Sequence, residues 1–178
     1  MKINQLLVLL LLLVNSFQIV FAQDENKTVF QLARSGNLED FKAMIKKKPA
    51  LIDAQNEQGY SPLILACYNG NDKVAEYIIN HCKDINFNNG YGTALMAATI
   101  KGNLHLVNYL LEKKADVNLT DSNGTTALHY AVIFNLDAIA KQLIKSGAKY
   151  NLKDNRGKTA KDYAVLKNKT TLLNLLTP

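Results

Sequence analysis

Cysteine and histidine are scarce in this 178-residue chain, with two of the first and three of the second. Neither Cys67 nor Cys82 lies near the N-terminus, which excludes a lipid-modified cysteine behind a leader. His81, His105 and His129 stand 24 residues apart, unlike the short spacings that bring imidazoles onto one metal. No nucleophile motif occurs, and the Gly90-Tyr91-Gly92 triplet is too short and too far from any strand to cradle a phosphate. No metal, no cofactor and no enzymatic activity are therefore expected. Three prolines and nine glycines build no linker, so one domain suffices. Only Tyr150 and Tyr163 stand among the basic residues of 141–178, too few aromatics for a base-stacking platform, which argues against nucleic acid as a partner.

Long apolar runs are confined to the beginning. Lys2 precedes an unbroken apolar stretch over residues 6–14, and Val20, Phe21 and Ala22 offer acceptable side chains before a cleavage point. Residues 1–22 are therefore expected to be a signal peptide cut before Gln23, leaving 156 residues. A membrane anchor needs about 20 apolar residues, and Asn15, Ser16 and Gln18 interrupt this one. The mature chain is expected to be exported, to the periplasm or outside the cell, without a membrane span. Its Lys-, Asn- and Ile-rich composition favours a bacterial periplasm.

What the chain does contain is a repeat. Ala33, Ala66, Ala98, Ala131 and Ala164 follow one another at steps of 33, 32, 33 and 33 residues. Each closes a similar phrase: TVFQLA at 28–33, SPLILA at 61–66, TALMAA at 93–98, TALHYA at 126–131 and TAKDYA at 159–164. In the third unit Thr93 starts a helix with Leu95 and Ala98 on one face, and Gly102-Asn103 breaks it. Leu106, Val107, Leu110 and Leu111 then mark a second helix.

The phrase and its period resemble the ankyrin repeat. The resemblance implies an all-α repeat solenoid of helix-turn-helix units with short β-hairpin turns, about five repeats including caps. These fall at approximately 28–56, 57–88, 89–121, 122–154 and 155–178 within a domain of residues 23–178.

Departures from the pattern carry their own expectations. Where Gly147 supplies a left-handed residue after the second helix, Cys82 and Lys114 stand in other repeats, at a cost of up to about 1 kcal/mol each. Tyr91 replaces the turn glycine found at Gly59, Gly124 and Gly157, so the third hairpin should be shaped differently. The first repeat has a longer exit over residues 46–53. Lys161 takes an apolar leucine position, as in a cap that turns a polar side to water. Cys67 and Cys82 should lie at opposite ends of a helix about 15 Å long, too far to bridge.

The resemblance also implies that His129 hydrogen-bonds the turn threonine. Asp53, Asp121 and Asp154 read as local acceptors before turns. Asn26, Asn118, Asn123 and Asn168 open Asn-x-Thr triplets that read as structural rather than as glycan acceptors.

Two surfaces are candidates for binding. Residues 23–140 hold 11 basic and 13 acidic residues, whereas 141–178 hold 9 basic and 2 acidic, a net of +7 that could meet an anionic envelope surface. The resemblance implies a concave groove formed by residues before the inter-helix break and by hairpin tips. Its candidate protein-binding residues are Tyr60, Tyr68, Asn69, Ile100, Lys101, Thr125, Ile133, Phe134, Lys158, Leu166 and Lys167. An apolar residue recurs at one of these positions in four successive repeats.

A monomeric module binding a protein partner through the groove is the expected function, with docking on an anionic envelope surface through the basic end as the alternative. Exported bacterial ankyrin proteins that resemble this one are linked to oxidative-stress defence or to neutralising toxins, which extends the expectation to such roles.

Overall fold

The computed structural model describes residues 28–168 and 170–176. The leader expected at 1–22, and Asn26 with it, lie outside the described residues. Among the described residues ten α-helices form: α1 Val29–Ser35, α2 Leu38–Lys47, α3 Pro62–Asn69, α4 Asp72–Ile79, α5 Ala94–Lys101, α6 Leu104–Glu112, α7 Ala127–Ile133, α8 Asp137–Lys145, α9 Ala160–Leu166 and α10 Thr170–Leu175. A short 3-10 helix, Pro49–Asp53, carries the long exit of the first repeat. Among the described residues no sheet forms; one isolated bridge pairs Lys153 with Thr159.

The period dictates the stacking. Thr28, Ser61, Thr93, Thr126 and Thr159 each cap an odd-numbered helix, their hydroxyls accepting the backbone N–H three residues on. Such a cap contributes about 1 kcal/mol. The five recurring alanines are fully buried. With only a methyl group each, they let α1, α3, α5, α7 and α9 lie directly on one another, while α2, α4, α6, α8 and α10 form a second row. Larger residues of that second row fill the core between the rows, among them Phe41, Ile78, Leu106, Leu110, Leu143 and Leu172, all fully buried. The result is an all-helical repeat solenoid. Lys161 is half-buried at the position where Leu63, Leu95 and Leu128 are buried.

One departure resolves against the expectation. Lys114 (φ 69°) and Gly147 (φ 89°) are left-handed, and the N–H groups of Ala115 and Ala148 return to the carbonyls of Leu110 and Leu143 at 3.0 Å. Cys82 is not left-handed. In its repeat α4 ends one residue sooner, and the Cys82 N–H closes on the Ile78 carbonyl at 2.8 Å. The 32-residue step has deleted the left-handed residue itself, so Cys82 takes the place of the buried Ala115 and Ala148. Cys67 is buried and Cys82 half-buried, both as free thiols. Burial pushes the Cys67 thiol far up, and burial followed by the Asp53 charge pushes Cys82 up to about 11. Neither thiol is a ready nucleophile.

The third hairpin does differ. Gly59, Gly124 and Gly157 carry the positive φ in their turns, whereas in the third Gly90 (φ 88°) and Gly92 (φ 139°) flank a Tyr91 that is not left-handed. The positive φ favours glycine at 92, where a Cβ would also stand 2.9 Å from Met96 Sδ and push that side chain aside.

Candidate functional site

Two hairpins share one construction. Asp121 Oδ1 accepts the N–H groups of Asn123 (2.8 Å) and Thr125 (2.9 Å), and its Oδ2 accepts the Tyr130 hydroxyl at 2.6 Å. Asp154 repeats this with Arg156 and Lys158 N–H at 2.9 Å each and the Tyr163 hydroxyl at 2.5 Å. Burial raises the Asp154 carboxyl, but these three donors outweigh it and hold the group below its usual range. Burial and then the Asp121 hydrogen bond push Tyr130 upward; the Asp154 hydrogen bond, then burial, raises Tyr163. Both carboxylates have each oxygen engaged, and Asp154 is held ionised, the reverse of a poised general acid.

Asp53 plays a different part from the local turn role expected of it. It accepts the N–H of Lys83 at 3.1 Å, and Asn86 and Asn118 likewise accept from Asp116 and Lys149 at 2.8 Å. This is a ladder of side chains joining the first four repeats, each to the next. Asn118 also donates to the Gly147 carbonyl at 3.2 Å, so both ends of its amide are engaged.

His129 is a brace. Its Nδ1 accepts the Thr126 N–H at 3.2 Å and lies 2.8 Å from the Thr126 hydroxyl, which leaves the proton on Nε2 for the Lys158 carbonyl at 3.2 Å. Burial holds its pKa below the usual imidazole value, although the bond to Lys158 opposes this. Among the described residues no His, Cys, Asp or Glu cluster could hold a metal ion.

The expected groove residues divide. Tyr68, Phe134 and Leu166 are 56%, 51% and 65% exposed. Ile100 and Ile133, in the same row, are half-buried against their neighbours. Asn69, Lys101, Lys158 and Lys167 are exposed. Asn69 donates to the Leu65 carbonyl at 2.8 Å, and Lys167 Nζ to the Ile133 carbonyl at 2.6 Å. Lys101 lays its stem across Gly70, where a Cβ would meet its Cε at 3.1 Å. Thr125 is buried and has left the surface, because the Asp121 turn draws its N–H inward.

Three surface residues escaped the sequence. Tyr91 is 69% exposed at the third tip and stacks on half-buried Tyr60, with centroids 5.9 Å apart. Tyr130 stacks under Phe134 at 6.3 Å. Val165 is exposed on α9, although its counterparts Cys67, Thr99 and Val132 are fully buried. Adjacency to the hairpin tip marked Tyr91, and the i, i+4 spacing marked Tyr130 and Phe134; nothing in the local sequence marked Val165.

No curated protein matches this chain significantly. The family model described as ankyrin repeats, in three copies, matches residues 2–89, 29–121, 81–154 and 114–178. Those overlapping matches span the helices, the hairpins and the ladder described above, and they indicate a protein–protein interaction module. The chain belongs to the ankyrin-repeat family.

Proposed function

We propose that the protein is an exported, non-enzymatic adaptor that holds a protein partner against the face formed by the first-helix ends and the hairpin tips. One observation carries this: Tyr68, Phe134 and Leu166 stay largely exposed on that face, in a chain whose other large apolar groups are mostly buried. Apolar side chains gathered in this way mark interaction surfaces. The apolar stretch over residues 6–14 supports export. The resemblance to exported bacterial ankyrin proteins supports work in stress defence or toxin neutralisation.

Capture of partners from the exported fraction, followed by a Phe134→Ala variant, tests the proposal. Removing an aromatic anchor is expected to weaken binding by about 2 kcal/mol or more, a loss that itself should change little with salt. Phe134 is half out of the core, so the melting temperature should move little. Unchanged affinity would remove the groove as the site.

A further inference from the structure

One groove position reads Asn69, Lys101, Phe134 and Lys167 through four successive repeats. Phe134 therefore has a lysine in the repeat on either side. We propose that this stretch binds an extended, acidic protein segment carrying one apolar side chain between two carboxylates. The proposal rests on the groove being the binding face.

The two lysines are placed rather than adrift. Lys167 spends one of its three ammonium N–H donors on the Ile133 carbonyl, which ends α7 just before Phe134, and keeps two for a ligand. The Lys101 stem is seated over Gly70. Phe134 stands parallel to and offset from Tyr130, with the rings within 11° and their centroids 6.3 Å apart, and half of it stays exposed.

The carboxylates of the fourth and fifth hairpins and of the start of α9 are engaged elsewhere. Asp121 and Asp154 are buried, with their oxygens already holding the hairpin donors and tyrosine hydroxyls. Asp162 accepts from the backbone N–H and the hydroxyl of Thr159 at 2.8 Å, completing the capping box of α9. Arg156 and Lys158 add exposed positive charge at the fifth tip.

Geometry sets the spacing. Packed helices sit about 8–10 Å apart, and an extended chain advances about 3.3 Å per residue. One repeat therefore corresponds to about three residues of ligand. The fitting pattern is an acidic residue, two of any kind, an apolar residue, two of any kind and a second acidic residue. The apolar side chain meets Phe134 while the carboxylates meet Lys101 and Lys167.

A random peptide library displayed on phage, selected against the full chain, tests this. Recovered peptides should be enriched in Asp or Glu three residues to either side of an apolar residue. Joint Lys101→Gln and Lys167→Gln substitution should weaken them about ten-fold or more, as should salt near 1 M, where screening acts within about 3 Å. Circular dichroism of the double variant must show the wild-type helix content.

Neutral or basic peptides that are lost on Phe134→Ala would overturn the acidic partner and leave the groove reading standing. Peptides indifferent to Phe134→Ala, or no selected peptide at all, would overturn both. Binding only to phosphatidylglycerol vesicles would assign the cations to a lipid surface and overturn the proposal.

Discussion

Two positions that look equivalent in sequence should respond in opposite directions to glycine. Lys114 is left-handed at φ 69° and exposed. An L-residue in that conformation costs about 1–2 kcal/mol, while glycine costs about 0.5–1 kcal/mol in extra chain entropy. Lys114→Gly should therefore stabilise the fold by about 0.5–1 kcal/mol, since no buried contact is lost.

Cys82 has no left-handed strain to relieve, and it fills, half-buried, the place held elsewhere by the buried Ala115 and Ala148. Cys82→Gly gives up its packing, about 0.8 kcal/mol for a methylene-sized group, and adds the entropic cost. It should destabilise by about 1–2 kcal/mol. Urea unfolding of wild type and both variants, followed by circular dichroism, reads the differences directly. Stabilisation by both glycines would show that the 32-residue repeat retains a left-handed residue at Cys82, and the deletion account would fall.

Two further outcomes are expected. Titration of the chain with a thiol reagent should count two free thiols once it is denatured without reductant, and the native chain should react slowly because Cys67 is buried; an oxidised pair would refute the second repeat's geometry. His129 has a depressed pKa in the fold, so the stability it lends is complete above the unfolded value of about 6.5 and is lost as pH falls below that and through the lower folded value. Exposed His105, raised by its hydrogen bond with Glu76, acts in the opposite sense. His129→Gln leaves that second effect in place, so the variant should lose less stability than wild type between pH 7.5 and 5.5 in urea melts; equal losses would mean that His129 protonates freely in the fold.

The fold was legible because its determinants are local. Threonine hydroxyls at a 33-residue step cap helices by themselves, and alanines at the same step are small enough to stack. The misread positions depend on context from beyond one repeat. Cys82 and Lys114 share a distance from the repeated alanine, and only the chain path reveals that the missing residue lies before Cys82. Asp53 resembles the turn aspartates, yet its acceptor role is set by a backbone amide thirty residues away.

The groove was half legible. Periodicity selected the row containing Tyr68, Ile100, Ile133 and Leu166, but neighbour packing decides which members are exposed. Thr125 sits at a tip by position, and a hydrogen bond to Asp121 takes it inside.

Hydrogen–deuterium exchange of the chain, free and with its captured protein partner, addresses the binding face most directly. Protection is predicted at the tips, residues 89–92, 122–124 and 155–158, and at the first-helix ends, residues 100–102, 133–135 and 166–168. Exchange in α2, α4, α6 and α8 should stay unchanged. Protection confined to those second-row helices, with the tips and first-helix ends unaffected, would contradict the account.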